Sequence, residues 1–191
     1  MVKVLKFGGS SLADADQFRK VAEIIKAEPE RRYVVASAPG KRSADDIKVT
    51  DMLYDCYKLV KKNQPIDDAF ALIEERYNGI IKELGMKLWL QPEFDRIKNA
   101  IVHHAGRDYI ASRGEYLNSM VLASYIGYDF IDAEDGIFFK DNGTLDTEKT
   151  NEELSAILEE HEHAVIPGFY GVMPNGTIKT FSRGGSDITG S

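Results

Sequence analysis

Cysteine is nearly missing from this chain of 191 residues: Cys56 stands alone, which excludes an internal disulfide framework and any zinc site built on several thiolates. Long apolar runs are missing as well. None reaches the roughly 18 residues that a membrane span needs, and the opening MVKVLKFGGS has neither the apolar stretch nor the cleavage site of a secretory leader. A soluble protein of a reducing, cytoplasmic compartment is expected. Basic residues are in deficit, with a formal charge of -7, so broad binding to a nucleic-acid backbone is disfavoured. The acidity is local: residues 134–162 carry ten acidic side chains against two basic ones, which reads as a solvated face. The rest of the chain is close to neutral and can hold an anionic small molecule.

Repeats, low-complexity tracts and Pro/Gly/Ser linkers are also lacking, so one domain is expected. Val2 to Phe7 and Tyr33 to Ser37 are apolar runs that end at Gly8-Gly9 and Ala38-Pro39-Gly40, and both read as buried strands. Phe18, Val21, Ala22 and Ile25 recur at helical spacing between them, with Asp14 and Gln17 as a capping pair. Strand, helix, strand predicts a parallel pairing. Helical faces follow at Met52–Val60, Phe70–Leu84 and Phe94–Ile101, then a helix near Arg113–Ser124. Further strands are expected at Tyr128–Asp132, Ile137–Lys140 and Ala164–Ile166, with a helix at Glu152–Glu160 between the last two. Pro174-Asn175-Gly176 reads as a hairpin turn with positive φ at both Asn and Gly. The fold class is α/β, a mainly parallel sheet sandwiched by helices with a helical excursion in the middle.

The strongest local signal is Lys6-Phe7-Gly8-Gly9-Ser10-Ser11, a glycine pair between a strand and a capped helix. Such a loop can turn its NH groups to an anion, and the lysine adds a point charge. The spacing is neither that of a Walker loop nor GxGxxG, and a plain tight turn remains an equal reading of the motif alone. Phe181-Ser182-Arg183-Gly184-Gly185-Ser186-Asp187 repeats the chemistry near the other end, with a cation, a hydroxyl and a carboxylate around a second glycine pair. Two such loops at the carboxyl edge of one sheet suggest a shared anion site.

The order of motifs carries more than any one of them. Val4 to Leu12 (VLKFGGSSL), Val34 to Gly40 (VVASAPG), Lys48 to Asp51 (KVTD), Ser112 to Glu115 (SRGE), Pro167 to Phe169 (PGF) and Arg183 to Asp187 (RGGSD) resemble, in order and over essentially the whole chain, the aspartokinase branch of the amino-acid kinase family. The departures are mild: Ser10 stands where threonine is common, and Ala36 precedes Ser37 without altering the polar group. The resemblance implies the amino-acid kinase fold, related to that of carbamate kinase. It also implies transfer of the ATP γ-phosphoryl group to the side-chain carboxylate of L-aspartate, the first step toward lysine, threonine and methionine, with Mg2+ as cofactor; the alternatives are another amino-acid kinase, or a catalytically silent binding or assembly module of the same fold. It further implies a homo-oligomer in the full-length enzyme. Carried over by motif, Lys6 would neutralise the transferring group, and Gly8, Gly9 and Ser10, with Gly184 and Gly185, would bind phosphate. Glu115 would meet the substrate ammonium and Arg183 its α-carboxylate. Ser37 and Thr50 would complete the pocket, while Ser186 and Asp187 would organise the transfer centre.

Other candidates have plainer readings. His103-His104, His161 and His163 are not spaced as a metal site, and Cys56 falls on an apolar helix face as a small hydrophobe. Asp45-Asp46 and Asp67-Asp68 read as helix-start carboxylates. Lys41-Arg42 is either a solvated turn or a mobile basic lid. Aspartokinases continue beyond RGGSD, so residues 1–191 are expected to be the N-terminal part of the catalytic domain, without the nucleotide-binding remainder and the ACT regulatory domains.

Overall fold

The structure, a computed structural model, describes residues 2–182. The motif Arg183, Gly184, Gly185, Ser186 and Asp187 therefore lies outside the described residues. Four strands form a parallel sheet in the order β1-β2-β4-β3, where β1 is Lys3–Phe7, β2 Arg31–Ala36, β3 Asp129–Phe130 and β4 Ala164–Pro167. Parallel pairing demands a crossover after each strand, and helix α1 (Ala15–Lys26) supplies the first. Asp14 caps it by accepting from the Gln17 backbone NH at 2.9 Å, and Phe18, Val21 and Ile25 are buried along one stripe. Each such side chain contributes about 1.5–3 kcal/mol by leaving water.

The helical excursion comprises α2 (Val49–Lys61), α3 (Asp67–Glu83), α4 (Gln91–Val102) and α5 (Arg107–Ile126). Pro92 lies in the first turn of α4, where its missing NH costs no helical bond. Helix α5 is the spine of the fold: it packs on β2, β3 and β4 and on α2, α3 and α4. Its polar residues Ser112, Arg113, Glu115, Asn118 and Ser119 are all buried, so it has no amphipathic stripe, and its true start at Arg107 precedes the expected one. Gly127, at φ 78°, ends it in the left-handed conformation that favours glycine. A short helix α6 (Ala133–Gly136) and α7 (Thr147–Glu159) lead to β4, and an antiparallel pair β5 (Tyr170–Val172) and β6 (Ile178–Thr180) follows.

Three expectations are corrected. Strand β1 is an edge rather than a buried strand: it pairs only with β2 among the described residues, and Val2 and Val4 are exposed. Ile137–Lys140 is not a regular strand, because Phe138 and Phe139 make only isolated bridges, to Val172 and Leu145. The hairpin turn has positive φ at Gly176 but not at Asn175. Instead Gly176 NH bonds the Met173 carbonyl, and the Asn175 side chain accepts from the Thr177 NH and hydroxyl. This is a three-residue loop with one left-handed glycine.

Candidate functional site

All four strands run the same way, so the loops after β1, β2 and β4 emerge at one edge of the sheet. The ladder continues past the strand ends, where Ser37 NH donates to the Phe7 carbonyl and Gly168 NH to the Ala36 carbonyl. Residues 9–12 then form a single 3-10 turn, and Gly40 NH donates 2.8 Å to the Gly9 carbonyl, locking the first two loops together. A Cβ on Gly9 would stand 2.8 Å from the Ala38 carbonyl oxygen, and one on Gly40 would stand 2.7 Å from the Gly9 carbonyl carbon. The glycines at these positions are thus required by backbone packing. Gly8 differs: among the described residues a Cβ there would meet only the Lys6 ammonium, at 3.8 Å, so none of these residues crowds its backbone.

These loops and the helices behind them enclose a cavity of about 440 Å³ lined by Gly9, Ser10, Ser37, Ala38, Pro39, Gly40, Lys41, Lys48, Thr50 and Glu115. Five expected site residues, Gly9, Ser10, Ser37, Thr50 and Glu115, meet there across 106 positions of sequence. Lys6 is an exposed residue of β1 whose ammonium sits beside Gly8, at the same loop but not on the cavity wall. Thr50 is placed by the start of α2, where Val49 NH bonds the Pro39 carbonyl. Asn118 Nδ2 donates 2.7 Å to the Ser37 carbonyl, tying the spine helix to the end of β2.

Glu115 reaches the cavity because position 114 has no side chain: a Cβ on Gly114 would stand 2.8 Å from the Ala38 Cβ and push α5 away from the loop. Its carboxyl group is buried and its Oε2 has no hydrogen-bond partner among the described residues. Burial raises its pKa to about 8, against the opposing pull of the Ala38 NH and of Arg113. Arg113 does not neutralise it by contact. That guanidinium is buried among the rings of Tyr109, Tyr116 and Tyr170, within 5.2 Å of each centroid, and bonds Ser112 Oγ. The cavity therefore presents hydroxyls, lysines at its rim and one buried carboxyl in want of a cation.

Sequence reading placed Asp46 at a helix start, and this is also corrected. It lies in the loop before α2, where Arg42 accounts for its lowered pKa through side-chain and backbone bonds and Arg76 adds to the effect. Arg42 is accordingly tied down, while Lys41 lines the cavity. Arg76, buried on α3, is absent from the sequence expectations; its signal is a charge three residues after Ile73 and four before Ile80, within an apolar stripe. Cys56 is fully buried, and burial pushes its thiol up to about 11, so it is inert as a nucleophile. No helix of the described residues is long and apolar enough to cross a membrane, and these residues hold no group of three or more His, Cys, Asp or Glu placed to bind a metal ion.

Comparison with known proteins identifies the family and the fold. The sequence model of the amino acid kinase family matches residues 1–191. Aspartokinase 3 of Bacillus subtilis is 32% identical over 207 residues, covering 100% of the chain and 45% of the relative. A chloroplastic aspartokinase 1 of Arabidopsis thaliana is 29% identical, with 97% and 36% covered. Among solved structures, aspartate kinase of Clostridium acetobutylicum superposes with a TM-score of 0.96 at 48% identity, covering 98% of this chain and 43% of that one. E. coli aspartokinase III in complex with aspartate and ADP shares the fold, with a TM-score of 0.81 at 22% identity and coverage of 99% and 45%. The chain spans less than half the length of each of these relatives.

Proposed function

Because the chain belongs to the amino acid kinase family, we propose that the protein carrying it phosphorylates the side-chain carboxylate of L-aspartate, with ATP as donor and 4-phospho-L-aspartate and ADP as products. The observation that carries the reading is Glu115, a buried carboxyl with an unpartnered oxygen on the wall of a small polar cavity. A free α-ammonium brings that oxygen both a donor and a positive charge in place of its lost hydration; the amide NH of an N-acylated amino acid brings no charge. The aspartokinase relatives support the choice of substrate, and the ADP in the E. coli enzyme supports the choice of donor.

Little covalent work is asked of the protein. The aspartate side chain titrates near pH 4, so the nucleophile is already ionised and no general base is needed. The task is to bring two anions together. Glu115 holds the ammonium, Ser37 and Thr50 bond the amino acid, and the Gly8, Gly9 and Ser10 backbone beside the Lys6 ammonium receives the phosphate oxygens. Arg183 is assigned to the α-carboxylate, Gly184 and Gly185 to phosphate, and Ser186 and Asp187 to the transfer centre. Mg2+ supplies charge neutralisation on the nucleotide phosphates when bound; no described residue is assigned to it. In the same proposal residues 1–191 are the N-terminal part of the catalytic domain, acting in a homo-oligomer at the head of lysine, threonine and methionine synthesis.

The test is ADP release by the full-length protein, with hydroxylamine trapping of the acyl phosphate, offered aspartate, glutamate and N-acetylglutamate in turn. Aspartate alone is expected to give trapped product. Turnover with N-acetylglutamate, or none with aspartate, would contradict the proposal.

A further inference from the structure

Residues 40–48 contain neither helix nor strand, yet they contribute Gly40, Lys41 and Lys48 to the cavity wall. An irregular segment of this length is costly to hold in one conformation unless something fixes it. Arg76 does so from outside the site. The residue is 4% exposed, and its guanidinium donates to the Gly40 carbonyl at 3.0 Å, the Ile47 carbonyl at 3.0 Å and Asp46 Oδ2 at 2.7 Å. Gly40 and Ile47 are the two ends of the loop, so one side chain of α3 sets the width of its base. Asp46 in turn receives the backbone NH and the guanidinium of Arg42, which folds the exposed part of the loop onto the same anchor. The next residue of α3 braces the opposite wall: the buried Tyr77 hydroxyl donates 2.7 Å to the Gly114 carbonyl, one position before Glu115.

We propose that Arg76 is a positioning residue for the amino-acid pocket, holding the 40–47 loop at a fixed distance from Glu115 through its three bonds to Gly40, Asp46 and Ile47. This rests on the reading of the cavity as the aspartate site. The requirement is for arginine, because three acceptors spread over two backbone segments and a carboxylate match a planar fork and not a single ammonium. The helical excursion thereby has a function: α3 sets the relation between the two walls of a pocket that it does not line.

The test uses the full-length protein and compares wild type, Arg76→Met and Arg76→Lys in two measurements. In steady-state kinetics Arg76→Met is expected to raise the KM for aspartate at least tenfold and leave the KM for Mg-ATP within about twofold, since misplacement of the pocket is felt by the substrate it positions. Arg76→Lys, which satisfies one acceptor in place of three, is expected to fall between. In hydrogen exchange, amides 41–48 of both variants are expected to exchange at least about tenfold faster, while those of β1, β2 and α5 keep wild-type protection. Equal shifts in both KM values, or unchanged loop exchange in Arg76→Lys, would overturn the proposal. A wild-type protein without aspartate turnover would instead remove the substrate assignment, and loop exchange would then decide the positioning role by itself.

Discussion

The loop and the helix that bound the cavity treat a carboxyl group in opposite ways. In the loop, behind the residues that line the cavity, Asp46 is held by Arg42 and Arg76, and its pKa is driven down. On the helix wall, Glu115 is deeper, has one unpartnered oxygen, and its pKa is raised to about 8. The paired carboxylate fixes structure because its electrostatic demand is met within the chain. The unpaired one is unfavourable in the empty protein and becomes favourable when a cation arrives, which is the condition for recognising a ligand. A protein selected for stability alone has no reason to keep the second arrangement.

The largest expected effect comes from the cation on the strand side. In the full-length enzyme Lys6→Ala is expected to lower kcat by about a hundredfold or more, as does loss of a preorganised charge at a transition state. Single-turnover measurement with saturating substrates checks it, and a near-normal kcat would remove Lys6 from the chemistry. Next is the helix wall. Glu115→Gln keeps the shape and removes the charge, so kcat/KM for aspartate should fall by about 10- to 150-fold, corresponding to roughly 1.5–3 kcal/mol for a charge-assisted hydrogen bond.

The same substitution sharpens the contrast through stability. Folded Glu115 titrates at about 8, whereas in the unfolded chain it returns to the ordinary carboxyl range near 4.3. Between these values the folded state keeps a proton that the unfolded state has released. The group's stabilising contribution is therefore present below the unfolded pKa and is lost as pH rises through 8. Glu115→Gln removes that slope. Its Tm relative to wild type is expected to rise between pH 6 and pH 8.5, by about 4–8 °C if the difference is about 2 kcal/mol. A parallel pH dependence in the two proteins would show that Glu115 carries no unpaired charge.

A smaller effect is expected where only backbone contact is at stake. Gly40→Ala forces a Cβ against the Gly9 carbonyl and should cost about 1–3 kcal/mol of stability by chemical denaturation, together with a severalfold rise in the aspartate KM. Smallest is Arg42→Ala. Its side chain is 53% exposed and Asp46 keeps Arg76, so a loss of no more than about 1 kcal/mol is expected in the same assay.

How much of this was legible in the sequence follows the same physical divide. Elements with a clear period were readable: α1 from Phe18, Val21, Ala22 and Ile25, α3 from Phe70, Ile73, Tyr77 and Ile80, and β2 and β4 from their apolar runs. The spine helix was the hardest, since its buried face includes Ser112, Arg113, Glu115, Asn118 and Ser119, which by composition look solvent-facing. That β1 is an edge among the described residues was hidden because apolar composition does not report how many strands flank it. Of the site, Gly9, Ser10, Ser37, Thr50 and Glu115 were named from ordered motifs, and the structure brings them to one cavity. The pairing of Asp46 with Arg76 was not legible, because a bond between residues 30 positions apart leaves no local pattern.

The central claim, that Glu115 is left unpaired for a ligand ammonium, is tested most directly by counting protons. Calorimetric titration of aspartate into the full-length protein at pH 7, repeated in buffers of different ionisation enthalpy, measures the protons released on binding. Since free Glu115 is largely protonated at that pH and an adjacent ammonium favours the carboxylate, release of about one proton per aspartate is expected, fading toward zero near pH 9 and absent in Glu115→Gln. Aspartate binding at pH 7 with no proton released, or with the same release in Glu115→Gln, would contradict the account.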